Sequence, residues 1–319
     1  MAAPTITLNN GEKVPVLGLG TWQAADNPGV VEQAVRDAVD AGYRHFDCAY
    51  IYGNEKEIGK ALREKIQEGV VKREDLFITT KLWNSFHKRE EVVPMCKISL
   101  ENFGLEYVDL YLIHWPMSFG AEEDKIWKTQ HKGTHVNVDK NYLDTWRGME
   151  ECVKLGLVKS IGLSNFNSKQ IDSILSIAKI KPVINQVECH VNLNQQKLRK
   201  FCDERGIAVC AYSPLGSPKR TWAKQGDHEV MTEAPEILKL AKKYGKTPAQ
   251  IILRYLVEIK TIPIPKSSSK GRIKQNIDIF DFKLTSEEIA LVDTLDCGLR
   301  ICHFDKSNHY KDYPFDIEF

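Results

Sequence analysis

Asp47 and Tyr52 stand in one short stretch, GYRHFDCAYIYGNEKEIG from Gly42 to Gly59, where an apolar run ends on an acid and a tyrosine follows within a few residues. Lys81 and His114 close two further apolar runs downstream. Taken singly, each has an ordinary structural explanation: a helix cap, a half-buried ring, a surface ion pair, a buried neutral histidine. Packing does not call for all four on successive strands, whereas proton transfer does. A tyrosine with a free pKa of ~10 is a poor acid at neutral pH, and a buried ammonium beside it is expected to stabilise the phenolate and lower that value. Lys81 is the candidate cation, and the Asp47 carboxylate is the partner that would keep it charged out of water. His114, neutral, would donate to a substrate oxygen and orient it. Such a set protonates an oxygen as negative charge develops on it and includes neither a nucleophile nor a metal site. Reduction of a carbonyl by hydride from a bound nicotinamide fits this chemistry.

A nicotinamide dinucleotide also needs a phosphate site, and residues 266–276, KSSSKGRIKQN, offer one. Lys266, Ser267, Ser268 and Arg272, with Asn276 one turn on, converge at the start of a short helix, where backbone N–H groups favour anions. Two cations and neighbouring hydroxyls suit a 2′-phosphate, so NADPH is expected over NADH. The Gly-x-Gly-x-x-Gly signature of a doubly wound dinucleotide fold is absent.

The elements that must position these groups alternate. Eight β-rich apolar runs, at 17–20, 45–49, 76–82, 108–115, 160–164, 183–187, 208–213 and 261–265, are separated by helical patterns at 30–41, 55–67, 88–103, 142–155, 168–177 and 194–204, with another at 235–257 broken near Gly245. The alternation continues without a composition break or a flexible linker, so the expectation is one (β/α)₈ TIM barrel domain over residues 1–319. A leading hairpin around an Asn-Gly turn in Asn9-Asn10-Gly11 would plug one end. Nearly every run ends polar: Thr21-Trp22, Asp47, Lys81, His114, Ser164-Asn165, Gln186 with Glu188, Tyr212-Ser213 and Lys266-Ser267. A barrel collects strand ends on one rim. Two long connections, 117–141 and 216–234, leave that rim, where long loops serve function.

Composition narrows the partners. With 44 basic against 43 acidic residues, nothing draws the chain to nucleic acid, so the partner is expected to be a small molecule. No apolar run reaches the ~18 residues of a membrane span, and the first residues lack the pattern of a secretion signal. The 8 cysteines contain no Cys-x-x-Cys pair, so neither a disulfide frame nor a zinc site is expected, and the cytoplasm is the expected compartment.

Three stretches together are similar to the signatures of the aldo-keto reductase family: Gly42 to Ala49 with Glu55 and Gly59; Gly156 to Phe166, GLVKSIGLSNF; and Ile264 to Asn276 with Arg272 and Gln275. The likeness runs nearly the whole length and is greatest to aldose reductase-like animal members, insects included; KDYPF at 311–315 adds to it. The resemblance implies a tetrad of Asp47, Tyr52, Lys81 and His114 with Tyr52 as proton donor. It implies that Ser164, Asn165 and Gln186 hold the nicotinamide carboxamide, that Tyr212 stacks on the ring, and that residues 266–276, including Gln275, grip the adenosine phosphate. Gly20, Thr21, Trp22, Asp47, Ser213, Leu215 and Ser217 complete the implied cofactor surface. A substrate pocket of Trp22, Tyr52, Trp83, His114, Trp115, Ile126 or Trp127, Trp222, Cys302 and Phe304 is implied with it, under a C-terminal tail lying over the rim. Histidine at position 114 points to carbonyl reduction, and family precedent to a monomer.

The departures carry expectations too. Relatives close a clasp over the cofactor with a lysine and an acid; here those positions hold Gln23 and Lys219, so NADPH is expected to leave faster. Val191-Asn192 stands where Pro-Tyr is common, with no function evident from the sequence. His303 and Phe304 replace smaller tail residues and suggest a pocket for bulkier ketones. The expected function is broad NADPH-dependent reduction of aldehydes and ketones. The alternatives are a dedicated ketosteroid or 3-dehydroecdysteroid reductase and, from another class, a redox-sensing or structural protein that only binds NADPH.

Overall fold

Strand alternation decides what faces the site. In the computed structural model, which describes residues 3–22, 29–120, 140–217, 231–304 and 308–319, each of the eight predicted runs overlaps one strand of a parallel sheet, with β7 starting two residues before its run and β8 ending one residue after. After a hairpin of β1 (Thr5–Thr7) and β2 (Lys13–Pro15) come β3 (Leu19–Gly20), β4 (His45–Asp47), β5 (Phe77–Leu82), β6 (Val108–Ile113), β7 (Val158–Ser164), β8 (Ile184–Glu188), β9 (Ala208–Tyr212) and β10 (Thr261–Pro263). Neighbours in sequence are neighbours in the sheet, from β3 through β10. The sheet closes on itself where Gly18 and Gly20 N–H donate to the Pro263 and Pro265 carbonyls, each at 3.1 Å. Gly20 is required there, since a Cβ would lie 2.7 Å from the Ile264 carbonyl oxygen. The fold is a (β/α)₈ barrel, as expected.

Successive strand residues point to opposite faces. Phe46, Ile78, Tyr111, Ile113, Ile161, Leu163, Val187 and Val209 point outward into the main core beneath the helices. The other parity, Phe77, Leu110, Leu112, Ile184, Cys210, Ile262 and Ile264, fills the barrel interior. Continuing that inward parity to the carboxyl ends reaches Asp47, Lys81, His114, Ser164, Gln186, Tyr212 and Lys266. One periodicity therefore both packs the barrel and aims seven polar side chains at its mouth.

The helices form for local reasons. They are α1 (Val30–Ala41), α2 (Glu55–Gln67), α3 (Arg89–Phe103), α4 (Tyr142–Lys154), α5 (Ser168–Ile177), α6 (Gln196–Asp203), α7 (Pro235–Tyr244), α8 (Pro248–Glu258), α9 (Lys270–Ile277) and α10 (Ser286–Asp293). Capping boxes of Asn167 with Gln170, Thr247 with Gln250 and Thr285 with Glu288 start α5, α8 and α10. The break predicted near Gly245 lies where that glycine, at φ 62°, ends α7 and Thr247-Pro248 restarts the chain as α8. Two expectations are corrected. The helix expected from 194 begins at Gln196, because Gln195 takes left-handed backbone at φ 56°. The hairpin turns through residues 8–12, with Leu8 N–H donating to the Glu12 carbonyl at 2.8 Å, rather than through a tight two-residue Asn-Gly turn. Its placement is as expected: Leu8 and Val14 pack into the barrel interior, and Asn9 Nδ2 donates to the carbonyls of Pro182 at 2.8 Å and Gly206 at 3.0 Å, sealing the end opposite the polar rim.

Candidate active site

Three side chains from neighbouring segments meet at the mouth. Lys81 Nζ, with no exposed surface, donates to Asp47 Oδ2 at 2.7 Å, to the Cys48 carbonyl at 2.9 Å and to the Tyr52 hydroxyl oxygen at 3.2 Å. All three ammonium protons are thereby used. Because the Tyr52 oxygen accepts from Lys81, its own hydrogen is left to point elsewhere. The His114 ring lies edge-to-face with Tyr52 at 5.8 Å between centroids and with Trp83 at 5.3 Å. Asp47 is held at both oxygens, since Gln186 Nε2 donates to Oδ1 at 2.7 Å. Tyr52 is delivered by a single 3₁₀ turn, Tyr50–Tyr52, that Gly53 closes with left-handed backbone at φ 69°. Asn54 Nδ2 then donates to the Thr21 carbonyl at 2.9 Å, and Thr21 Oγ1 to the Asp47 carbonyl at 2.9 Å, tying this turn to the neighbouring strand ends.

The electrostatics correct one expectation. Burial pushes the Tyr52 phenol up to about 12; the Lys81 ammonium pulls the other way without reversing the rise. The expected net lowering fails because burial outweighs the Lys81 charge, and the Asp47 carboxylate paired with Lys81 adds to the rise. An acid at about 12 is still well below an alcohol, whose value is near the ~15.7 of bulk water. Burial alone would lower Lys81, but Asp47 and Tyr52 outweigh it and hold the ammonium above its ordinary value. Burial, with the Lys81 charge added, holds His114 well below its usual value and therefore neutral.

The sequence matches the model described as "Aldo/keto reductase family" over residues 16–296. The chain belongs to the aldo/keto reductase family. It is 50% identical over 291 residues to aldo-keto reductase family 1 member A1-A of Danio rerio, covering 91% of this chain and 89% of that one. It is 48% identical over 301 residues to aldo-keto reductase family 1 member A1 of Homo sapiens, covering 94% and 91%. Among solved structures it superposes on an aldo-keto reductase of Bombyx mori in complex with NADP, with a TM-score of 0.89, 42% identity and coverage of 98% of this chain and 99% of that one. A second aldo-keto reductase, complexed with NADPH, gives a TM-score of 0.91 at 40% identity, covering 99% and 94%.

Around Asp47, Tyr52, Lys81 and His114 the other predicted residues fall into two surfaces. Asn165, at φ 62°, donates from Nδ2 to the His114 carbonyl at 3.0 Å and to Ser164 Oγ at 3.2 Å, while its Oδ1 accepts from the Tyr212 hydroxyl at 2.8 Å. This leaves the Ser164 hydroxyl hydrogen and the Gln186 carbonyl uncommitted among the described residues: one donor and one acceptor, the complement of a carboxamide. Ser213, at φ 48°, accepts from Ser217, at φ 43°, at 3.0 Å, with Leu215 half-buried between them. Across the mouth, Gly20 bridges to Lys266, Ser267 is buried and accepts from Ser269 N–H at 3.2 Å, and Asn276 is buried near the end of α9. Lys266, Ser268, Arg272 and Gln275 are exposed there, and Arg272 has no acidic partner among the described residues.

The second surface is aromatic. Trp83, Trp115, Met117, Phe119 and Tyr310 form a buried cluster, with Phe304 packed against it. Phe304 stacks on Trp115 at 4.8 Å, and Cys302 Sγ lies 4.0 Å from Ser213 Oγ, so the tail covers the rim as expected. Trp22 is half-buried beside Thr21. Gln23, Ile126, Trp127, Lys219 and Trp222 lie outside the described residues. Two further groups make contacts that the sequence does not reveal. Glu188 ends β8 but turns to the tail rather than the tetrad, and Asn54 braces the Tyr52 turn. A buried acid at a strand end was a readable signal for Glu188; its partner, a hundred residues on, was not.

Proposed function

We propose that the chain uses NADPH to reduce aldehydes and ketones to alcohols, with Tyr52 as the proton donor. The observation that carries this reading is the hydrogen-bonded series Asp47–Lys81–Tyr52 on the inward face of one rim with neutral His114 against the Tyr52 ring. Membership of the family and likeness to relatives solved with NADP and NADPH support it. The free donor and acceptor of Ser164 and Gln186 suit the carboxamide, the half-buried Tyr212 ring offers a stacking face, and Lys266, Ser267, Ser268, Arg272, Gln275 and Asn276 suit an adenosine phosphate. When bound, the reduced nicotinamide supplies hydride to the carbonyl carbon. The chain's own groups manage the oxygen. His114 donates to the carbonyl oxygen and fixes its direction, and Tyr52 gives up its proton as that oxygen becomes an alkoxide. Lys81 stabilises the phenolate left behind, and Asp47 keeps Lys81 charged. Hydride plus proton converts C=O to CH–OH with atoms and charge balanced.

Trp22, Trp83, Trp115, Cys302 and Phe304 would line an apolar substrate pocket, which suits aromatic or bulky carbonyls. We place this activity in a single barrel unit over residues 1–319, acting as a monomer in the cytoplasm; among the described residues no helix is long and apolar enough to cross a membrane. The test is NADPH oxidation across a panel from short aldehydes through aromatic aldehydes and sugars to 3-ketosteroids. Oxidation with several carbonyls is expected. Tight NADPH binding with no oxidation by any of them would overturn the reading in favour of a binding protein.

A further inference from the structure

The C-terminal tail crosses the rim where the candidate pocket lies, and the segment just after β8 holds it there. Glu188 has no exposed surface, yet its carboxylate serves the tail: Oε1 accepts from the Ile301 N–H at 2.7 Å and from His190 Nε2 at 2.8 Å, and Oε2 accepts from the Cys302 N–H at 2.8 Å. Four residues on, Asn192 takes hold of the tail's first part. Its Nδ2 donates to the Leu295 carbonyl at 2.9 Å, and its own carbonyl accepts from Cys297 N–H at 3.2 Å and Leu299 N–H at 3.0 Å. His190 and Leu193 exchange backbone hydrogen bonds at 3.1 and 2.9 Å, which makes 190–193 a rigid turn. With the Cys297 thiol also donating to the Asn192 carbonyl at 3.8 Å, residues 295–302 hang from six hydrogen bonds to 188–192 among the described residues.

We propose that Glu188 and Asn192 are positioning residues for substrate choice: they fix the tail at residues 295–302 and so set where Cys302 and Phe304 lie over the pocket. The inference rests on the reading of the site as a carbonyl reductase. A fully buried carboxylate is costly and does nothing for packing that a leucine could not do. What it provides is direction, because two consecutive amides on one carboxylate fix the backbone at the step before Phe304. Burial would raise this carboxyl, but the hydrogen bonds from His190, Cys302 and Ile301 outweigh it and keep the group ionised. Beyond the clamp, Phe304 holds left-handed backbone at φ 56°, a conformation that persists only when its surroundings over-determine it. Glu188 and the bond from the Tyr313 hydroxyl to the His303 carbonyl at 2.6 Å hold the backbone leading into Phe304, and the Trp115 stack holds its ring.

Two variants of the full chain test this, Glu188→Gln and Asn192→Ala, the second milder in case the first fails to fold. In Glu188→Gln one tail amide meets an NH₂ instead of an acceptor. Amides 301 and 302 should then exchange with solvent roughly 10- to 100-fold faster, the worth of bonds to a charged acceptor. For Asn192→Ala, exchange over 295–302 should rise roughly 2- to 10-fold, the worth of one neutral bond. In both, the ratio of kcat/KM for a 3-ketosteroid to that for a short aldehyde should move roughly fivefold or more, while short-aldehyde kcat and NADPH binding stay near the wild-type values. Unchanged exchange in both variants overturns the clamp. Faster exchange with an unchanged ratio overturns its role in substrate choice. If the wild type reduces no carbonyl at all, the proposed function fails and the specificity role with it, while the exchange measurement still decides whether the clamp exists.

Discussion

Lys81 shows how much of the site rests on one buried cation. With no exposed surface, it is stable only because Asp47 lies 2.7 Å away, and Asp47 is in turn almost fully buried. Removing one partner of such a pair leaves the other charge stranded, so Lys81→Met should cost about 3–5 kcal/mol in a denaturant titration as well as abolishing turnover. Adding Asp47→Leu should recover part of that stability; a double variant no more stable than the single would show that the pair's burial is not the cause. These residue types were legible in the sequence because a strand that ends on an acid, a lysine or a histidine has no packing reason to do so. The sign of the Tyr52 shift was not. It depends on burial outweighing a cation whose field its own partner opposes, and no spacing of residues reveals that balance. Glu188 was legible as an acid at a strand end, but its partners, backbone amides far along the chain, were not.

At the scale of elements, α2 carries the turn that delivers Tyr52, and its seat against α3 depends on Gly59. A Cβ there would run into the Phe103 carbonyl and Cα, which are backbone and cannot swing aside. Helix propensity alone favours Gly59→Ala by about 0.8–1 kcal/mol, but overpacking costs ~1–3 kcal/mol. The steric term should win, and chemical denaturation should show net destabilisation; a stabilised variant would mean that α2 can shift freely. Most elements could be read in advance, because fully buried parallel strands appear as short apolar runs and helices announce themselves at residues such as Thr247-Pro248 and Gly245. What escaped was backbone geometry set by tertiary contacts. Gln195 is left-handed while its side-chain Nε2 donates to the Glu188 carbonyl at 2.9 Å, and the hairpin loop widens so that Asn9 can reach Pro182 and Gly206.

At the scale of the molecule, closing a barrel buries histidines that must stay neutral. Burial lowers His45 from 6.5 to about 4 and His87 from 6.5 to about 3, and His114 falls well below its usual value. Because the folded values are depressed, the stability these groups contribute is complete above pH ~6.5 and is lost as pH falls through that value toward about 3 to 4, by up to ~1.4 kcal/mol per pH unit for each. Both ring nitrogens of His87 are buried without a hydrogen-bond partner among the described residues, so His87→Leu should be near neutral at pH 7 and should visibly flatten the acid limb of a plot of urea midpoint against pH. An unchanged acid limb would assign the acid sensitivity to other groups. The barrel itself was legible from the alternation of elements, and its consequence, one parity of residues facing the mouth, joins the fold to the chemistry. The most direct test of that join is single-turnover NADPH oxidation with a short aldehyde by the wild type and by Tyr52→Phe. The expected result is a loss of roughly 10²–10⁴-fold, the usual worth of a general acid, with NADPH binding retained. Wild-type turnover in Tyr52→Phe would contradict it.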